Sequence, residues 1–385
     1  MITAKDRFGR FRRTVASVAI ASAAAVLVTF ASSGTVSADW PMYMKDSGRT
    51  SYARNAPRPP LELKWSFATD GPIYSSPIVE DGKLFIGSFD KKLYALDADT
   101  GAKLWSFEAG GEILSTPAAV DGAVYFGAKD GILYALDTET GEEKWRYDAK
   151  AEIFTSPLVE EGRVYISASD GYFYAIEAET GKRKWRRKVR GTVHYSGVYA
   201  SPVFADGSIV VADKSGRIYS TSIKSGARNW SKKLSSAIYA TPAINGGMLF
   251  VSNYERKLFA MEMESGKVRW RKSFGTDLPY SSPVVSRGRL YQALRSGKIV
   301  VLNKSTGEDI SVFKLPATIN STPVVTSGSI IYVGCEDGYF YALDSTFGDV
   351  LWKYKTGAGV HSSAAVSDGK VFIGSKDGSV YAFAP

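Results

Sequence analysis

Tryptophan recurs along this chain at an almost fixed interval, and that interval dictates the architecture. Trp65, Trp105, Trp145, Trp185, Trp230, Trp270 and Trp352 stand 40, 40, 40, 45, 40 and 82 residues apart. The last gap is two units, with Ile310 expected to fill the vacant slot. A second column keeps the same step: Pro77, Pro117, Pro157, Pro202, Pro242, Pro283 and Pro323, with Ala364 in the eighth place. Self-similarity at this period means a repeat array, so a length of 385 residues does not imply several domains.

One unit, Ser75 to Trp105, reads as four short strands. The first surrounds Pro77 to Val79, and Asp81-Gly82 is a hairpin turn. Leu84 to Ser88 is the second strand and Leu93 to Leu96 the third; Thr100-Gly101 then turns the chain into a fourth strand that contains Trp105. Four antiparallel strands per unit make a propeller blade. The expected fold is therefore all-β: an eight-bladed β-propeller of four-stranded antiparallel blades. The eighth unit stops at Phe383, before its fourth strand, while Leu61 to Trp65 precedes the first unit and looks like the missing piece. The N-terminal strand should pair into the last blade and close the ring, which leaves no free sheet edge there. A column of small residues (Gly87, Gly127, Ser167, Ala212, Ser252, Ala293, Gly334 and Gly374) marks close approach between blades, with the tryptophans expected as the large partners.

The repeated Tyr-Ala-Leu-Asp-x-x-Thr-Gly-x-x-x-Trp, at Tyr94 to Trp105 and Tyr134 to Trp145, resembles the pyrroloquinoline-quinone-type repeat with its tryptophan-docking motif. The start Asp39-Trp40-Pro41-Met42, followed by Asp46 to Thr50, is similar to that of many exported proteins of this type. The resemblance implies either a quinoprotein dehydrogenase or a scaffold of the BamB type from outer-membrane barrel assembly. Such dehydrogenases hold their quinone beside a disulfide of adjacent cysteines and a calcium or lanthanide ion. Cys335 is the only cysteine, so that disulfide cannot form, and the same count excludes any internal disulfide. A conventional zinc site needs three or four ligands, and with only two histidines and one cysteine in the chain such a site is nearly excluded. Asp97-Ala98-Asp99-Thr100-Gly101 resembles the start of a calcium loop, but Ser222 to Gly226 fills the same place without an acid, so it is read as a turn. No catalytic residue, metal or cofactor is expected; quinone binding with oxidoreductase activity, or recognition of a small ligand or glycan, is the alternative.

Residues 1–38 read as a signal peptide and 39–385 as a single propeller domain. A basic start (Lys5, Arg7, Arg10, Arg12, Arg13) leads into an apolar stretch from Val15 to Phe30, then Val36-Ser37-Ala38, with cleavage expected after Ala38. The apolar stretch is shorter than the roughly 20 residues a membrane helix needs, so no transmembrane span is expected in the mature chain. The protein should be periplasmic or secreted, and monomeric.

Propellers bind at their channel mouths. The residue three before each column proline should ring one mouth: Tyr74, Leu114, Phe154, Tyr199, Tyr239, Tyr280, Asn320 and His361. An insertion around His194 and Tyr195 falls on the same rim. Tyrosine rings combine contact area with a polar handle, so this rim is the candidate binding surface. Charge is segregated: residues 39–180 carry a net −10, residues 181–300 a net +17 and residues 301–385 a net −2. The densest basic run is Lys182, Arg183, Lys184, Arg186, Arg187, Lys188 and Arg190. Segregated charge steers an oppositely charged partner. A protein partner with an acidic patch is expected, an envelope or outer-membrane assembly component by the resemblance; nucleic acid is not.

Overall fold

The structure, a computed structural model, describes residues 39–189 and 200–385. The expected signal segment and Arg190, His194, Tyr195 and Tyr199 lie outside the described residues.

Eight antiparallel sheets form the blades. In blade 1 the strands are Ile78–Glu80, Lys83–Gly87, Lys92–Asp97 and Lys103–Glu108, from the channel outward. The alternating apolar residues of the middle strands are buried on both faces, whereas the outer strand alternates half-buried and exposed. The turns follow the residues: Asp81 and Gly82 take φ of 49° and 70°, as a two-residue hairpin demands. The Asp97 carboxylate accepts hydrogen bonds from the backbone of Asp99 and Thr100 and from the Thr100 hydroxyl. It closes a turn, as the sequence reading expected. Blade 8 takes three strands from the C-terminal end, Ala365–Ser367, Lys370–Gly374 and Ser379–Ala384, and its outer strand, Glu62–Ala68, from near the N-terminus. The ring is thus closed as expected.

The tryptophans lock neighbouring blades. Trp105 of blade 1 donates its indole N–H to the Thr138 carbonyl of blade 2 at 3.1 Å, and Trp65, Trp145, Trp230 and Trp270 do the same to Ala98, Ala178, Met263 and Lys304 at 2.8–3.2 Å. Each ring lies against the glycine of the next blade's turn. A methyl on Gly141 would stand 2.6 Å from the Trp105 ring, and Gly141 has a φ of +73°, so no other residue fits without displacement.

Two expectations are corrected. Ile310 does not fill the missing tryptophan slot. Strand register places Ser311 opposite Val301, as Trp105 stands opposite Ala95, while Ile310 is 47% exposed. Phe313, two residues after Ser311, reaches the glycine of the next turn instead and lies where a Gly348 methyl would go. Nor do the tryptophans face the small-residue column. Gly87 and Gly127 abut Ile113 and Ile153 in the links between blades, where a methyl would come within 2.3 and 2.1 Å of the isoleucine side chain.

Gly82→Ala and Gly141→Ala both force alanine to positive φ, but nothing lies within 4 Å of the Gly82 position. Gly82→Ala should cost about 1–2 kcal/mol from backbone strain, and Gly141→Ala about 1–3 kcal/mol more from displacing the ring. Equal loss of stability in the two variants, measured by denaturation, would contradict the lock.

Candidate functional site: a channel closed at one end

Fifteen residues ahead of the propeller's first full strand change what the channel is. Asp39 to Ala53 runs across its lower half and hydrogen-bonds to the inner strands in turn. Trp40 exchanges backbone hydrogen bonds with Val79 of blade 1, and the Pro41 carbonyl accepts from Ala119 of blade 2. Ser47 and Gly48 accept from Phe204 and Ile244 of blades 4 and 5, and Tyr52–Ala53 adds a short parallel strand to Val324–Thr326 of blade 7. At the centre lies Arg49, fully buried. Its guanidinium donates to the carbonyls of Pro157 at 3.1 Å, Pro202 at 3.3 Å and Tyr43. Burial lowers its pKa to about 10, against the raising pull of Tyr43 and Asp46, so it stays charged at neutral pH and joins blades 3 and 4 to the plug.

Above the plug a belt of hydroxyls lines the wall. It comprises the Ser or Thr before each column proline or Ala364. Backbone N–H groups donate to the next blade's hydroxyl in the order Ser282, Thr322, Ser363, Ser76, Thr116, Ser156, Ser201 and Thr241, at 2.9–3.2 Å. This run passes through all eight blades. It satisfies N–H groups that a buried inner edge would otherwise leave unpaired. Tyr43 rises from the plug to bring its hydroxyl 3.2 Å from that of Thr322.

The result is a cup of about 220 Å³, with Tyr43 on its floor, hydroxyls on its wall and the expected rim around its mouth. The structure brings Tyr74, Leu114, Phe154, Tyr239, Tyr280, Asn320 and His361 together there. A second ring, missed in the sequence, flanks them from the loop after each blade's second strand. Phe89 packs on Tyr74 at 4.8 Å and Tyr254 on Tyr239 at 5.6 Å, while Lys214 and Arg295 lie over Tyr239 and Tyr280, each at 5.7 Å. His361 meets the edge of Tyr74 at 5.4 Å and lies 2.9 Å from Glu336, which also binds Asn320 and Lys376, both at 2.8 Å. Burial pushes the Glu336 carboxyl up, but the hydrogen bonds from Lys376 and Asn320 and the field of His361 outweigh it and hold it below the usual range. Burial lowers the His361 pKa more than the nearby Glu336 raises it.

Elsewhere the chemistry is sparse. Cys335 is buried and donates to the carbonyls of Ala317 and Thr318; burial pushes its thiol up to about 11, so it is no nucleophile. Asp39, Glu80 and Asp81 bring carboxylates within 4.8 Å of one another at the plugged end, away from the cup. The basic run forms the outer strand of blade 3, Arg183–Lys188, and the turn before it. Part of it serves the fold: Lys184 pairs with Glu177, and Arg187 donates to the carbonyls of Gly226 and Ser225 in the next blade.

Arg49→Ala would strip donors from the buried Pro157 and Pro202 carbonyls and from that of half-buried Tyr43. It should destabilise the propeller by about 2–5 kcal/mol, since each unsatisfied buried group costs roughly 1–3 kcal/mol. A melting temperature unchanged from wild type would contradict the bridging role.

Comparison with known proteins places this geometry. No curated protein matches the sequence. Among solved structures, BamB from Moraxella catarrhalis is 18% identical with a TM-score of 0.73, covering 84% of this chain and all of that one. A europium-containing methanol dehydrogenase is 14% identical, TM-score 0.78, covering 90% and 98% of the two chains. The quinohemoprotein alcohol dehydrogenase of Comamonas testosteroni is 17% identical, TM-score 0.78, covering 90% and 80%. These likenesses carry the fold. One family model, described as outer membrane protein assembly factor BamB, matches residues 60–131, 110–283, 188–310 and 264–385, and so spans all eight blades. The chain belongs to that family, a propeller of pyrroloquinoline-quinone-type repeats.

Proposed function

We propose that this chain is an exported, non-enzymatic scaffold that grips a protein partner in the open mouth of its channel. One observation carries the reading: aromatic and cationic rings surround a cup whose far end is filled by the chain's own Asp39 to Ala53. A plugged channel passes nothing through, so the guest is a projecting tip, a loop or a chain end. Tyr74, Tyr239 and Tyr280 supply contact area with hydroxyls, the composition of binding hot spots. Family membership supports a role in the envelope, in assembly of outer-membrane proteins, with the signal segment removed after Ala38. No helix among the described residues is long and apolar enough to cross a membrane.

A quinone-and-metal centre does not fit these residues. No carboxylate lines the cup among the described residues; Glu336, beside the lining residues Asn320 and His361, has its oxygens already held by these two and by Lys376. A divalent cation there would face the Lys376 ammonium. The single thiol, Cys335, is buried against backbone carbonyls.

Photo-crosslinking in the native envelope tests the proposal. A reactive residue at Tyr280 should yield a discrete adduct, while one at Asp121, on the exposed hairpin at the plugged end, should not. Changing Tyr74, Tyr239 and Tyr280 together to Ala should weaken capture at least about tenfold at unchanged melting temperature. Wild-type capture by that variant, or adducts from Asp121 alone, would overturn it.

A further inference from the structure

The residue two beyond each tryptophan position forms a column of its own: Phe67, Phe107, Tyr147, Arg187, Lys232, Lys272, Phe313 and Tyr354. Where it is aromatic, it fills the outer cleft between two blades. Phe67 packs on Tyr94 at 5.5 Å, Phe107 on Tyr134 at 5.4 Å, Tyr147 on Tyr174 at 5.8 Å and Tyr354 on Tyr381 at 5.8 Å. Phe313 seats on the next blade's turn. Only in blades 3, 4 and 5 is the ring replaced by a cation, and all three cations lie in the stretch 181–300 that carries +17.

At two of these three positions, Arg187 and Lys272, space appears where the ring is lost. Between blades 3 and 4 a cleft of about 380 Å³ reaches in to Phe173, Val211 and Tyr219, all buried. Arg187 does not fill it, because its guanidinium turns aside to the Gly226 and Ser225 carbonyls. Lys188 and Arg228, both exposed, stand at its opening, and neither pairs with a carboxylate among the described residues. A smaller cavity of about 220 Å³ accompanies Lys272 at the junction of blades 5 and 6. The blade 3–4 junction departs from the others in a second way. Among the described residues the buried Trp185 indole N–H has no acceptor, because the Ile223 carbonyl that would take it already accepts from Arg163 at 2.8 Å and Tyr165 at 3.3 Å.

We propose that the cleft between blades 3 and 4 receives an aromatic side chain from an acidic segment of a partner protein. The guest ring takes the place that Phe107 or Tyr147 fills from within the chain at other junctions. Acidic residues beside it pair with Lys188 and Arg228. The surrounding positive arc draws an acidic segment, and the apolar walls select a ring over charge alone. The site lies on the outer edge of the ring, apart from the channel mouth, so the two stand or fall separately.

The test uses the chain from Asp39 onward and a dye-labelled peptide, Glu-Asp-Glu-Phe-Asp-Glu, followed by fluorescence anisotropy. Saturable binding should weaken at least about tenfold when the peptide's Phe becomes Ala. It should weaken as much with Arg187→Phe, which supplies the missing ring from the chain itself and should melt no lower than wild type. Arg228→Glu, an exposed change, should weaken it comparably and stands in should Arg187→Phe fail to fold. Lys103→Gln, on the exposed outer strand of blade 1 and outside the basic arc, and Tyr239→Ala with Tyr280→Ala at the mouth should leave it unchanged. Equal binding of the Phe and Ala peptides would mean that charge alone is recognised and would overturn the proposal. So would full binding by Arg187→Phe, or no saturable binding by wild type.

Discussion

An aromatic ring seated on a glycine holds one blade to the next at seven of the eight junctions. The glycine is needed twice over at these turns, for its positive φ and for the missing Cβ whose space the ring takes, as Gly141 shows under Trp105. The indole N–H then fixes the ring's orientation by reaching a carbonyl of the neighbouring blade. With one buried cysteine the chain has no disulfide to close the circle, so cohesion rests on these seats, on the isoleucines pressed against the small-residue column, and on the N-terminal strand that completes blade 8. Trp352 shows the limit of the pattern. Blade 8 has no turn between its third strand and the borrowed outer strand, and Trp352 packs edge-on against Phe383 instead, at 5.3 Å.

A ring held this way can use its inner edge for something other than cohesion. The hydroxyl belt pairs the inner N–H groups around the channel, and Arg49 gathers carbonyls from beneath. Both keep polar backbone groups satisfied near the axis, where packing alone would leave them exposed to a narrow, poorly solvated space. The mouth is left to present aromatic and charged side chains on strands and short loops, a preorganised arrangement of the kind that lowers the entropy cost of binding. Glu336, held by three neighbours, orders the arc of the rim from Asn320 to His361.

Much of this was legible in the residues. The tryptophan and proline columns carry the blade count, the closing strand and the rim, because each marks one place in a repeating unit. Errors arose where spacing stood in for register. Ile310 lies at the expected interval, yet the strand turns it outward, and the aromatic role passes to Phe313 on the other pleat. The small-residue column announced close approach, but nothing in the repeat distinguishes a tryptophan from a link isoleucine as the partner. Asp39 to Ala53 has no counterpart in any unit, and its bonds run mostly through backbone carbonyls, so its passage across the channel left no periodic trace. The hydroxyl belt was visible as a Ser or Thr before each column proline or Ala364, though a small polar residue before a turn carries no sign that it bonds to its own copy one blade away. The open clefts of the basic arc emerge only when the column beyond the tryptophans is read against the rings that fill it elsewhere.

Isothermal titration calorimetry of the chain from Asp39 onward with pyrroloquinoline quinone, with and without calcium, tests most directly the claim that the cup holds a protein tip rather than a redox cofactor. The account predicts no saturable heat under either condition, because the Glu336 oxygens are occupied by Lys376, Asn320 and His361. Saturable binding at micromolar or lower concentration, strengthened by calcium, would contradict it and return this chain to the quinone-dependent oxidoreductases.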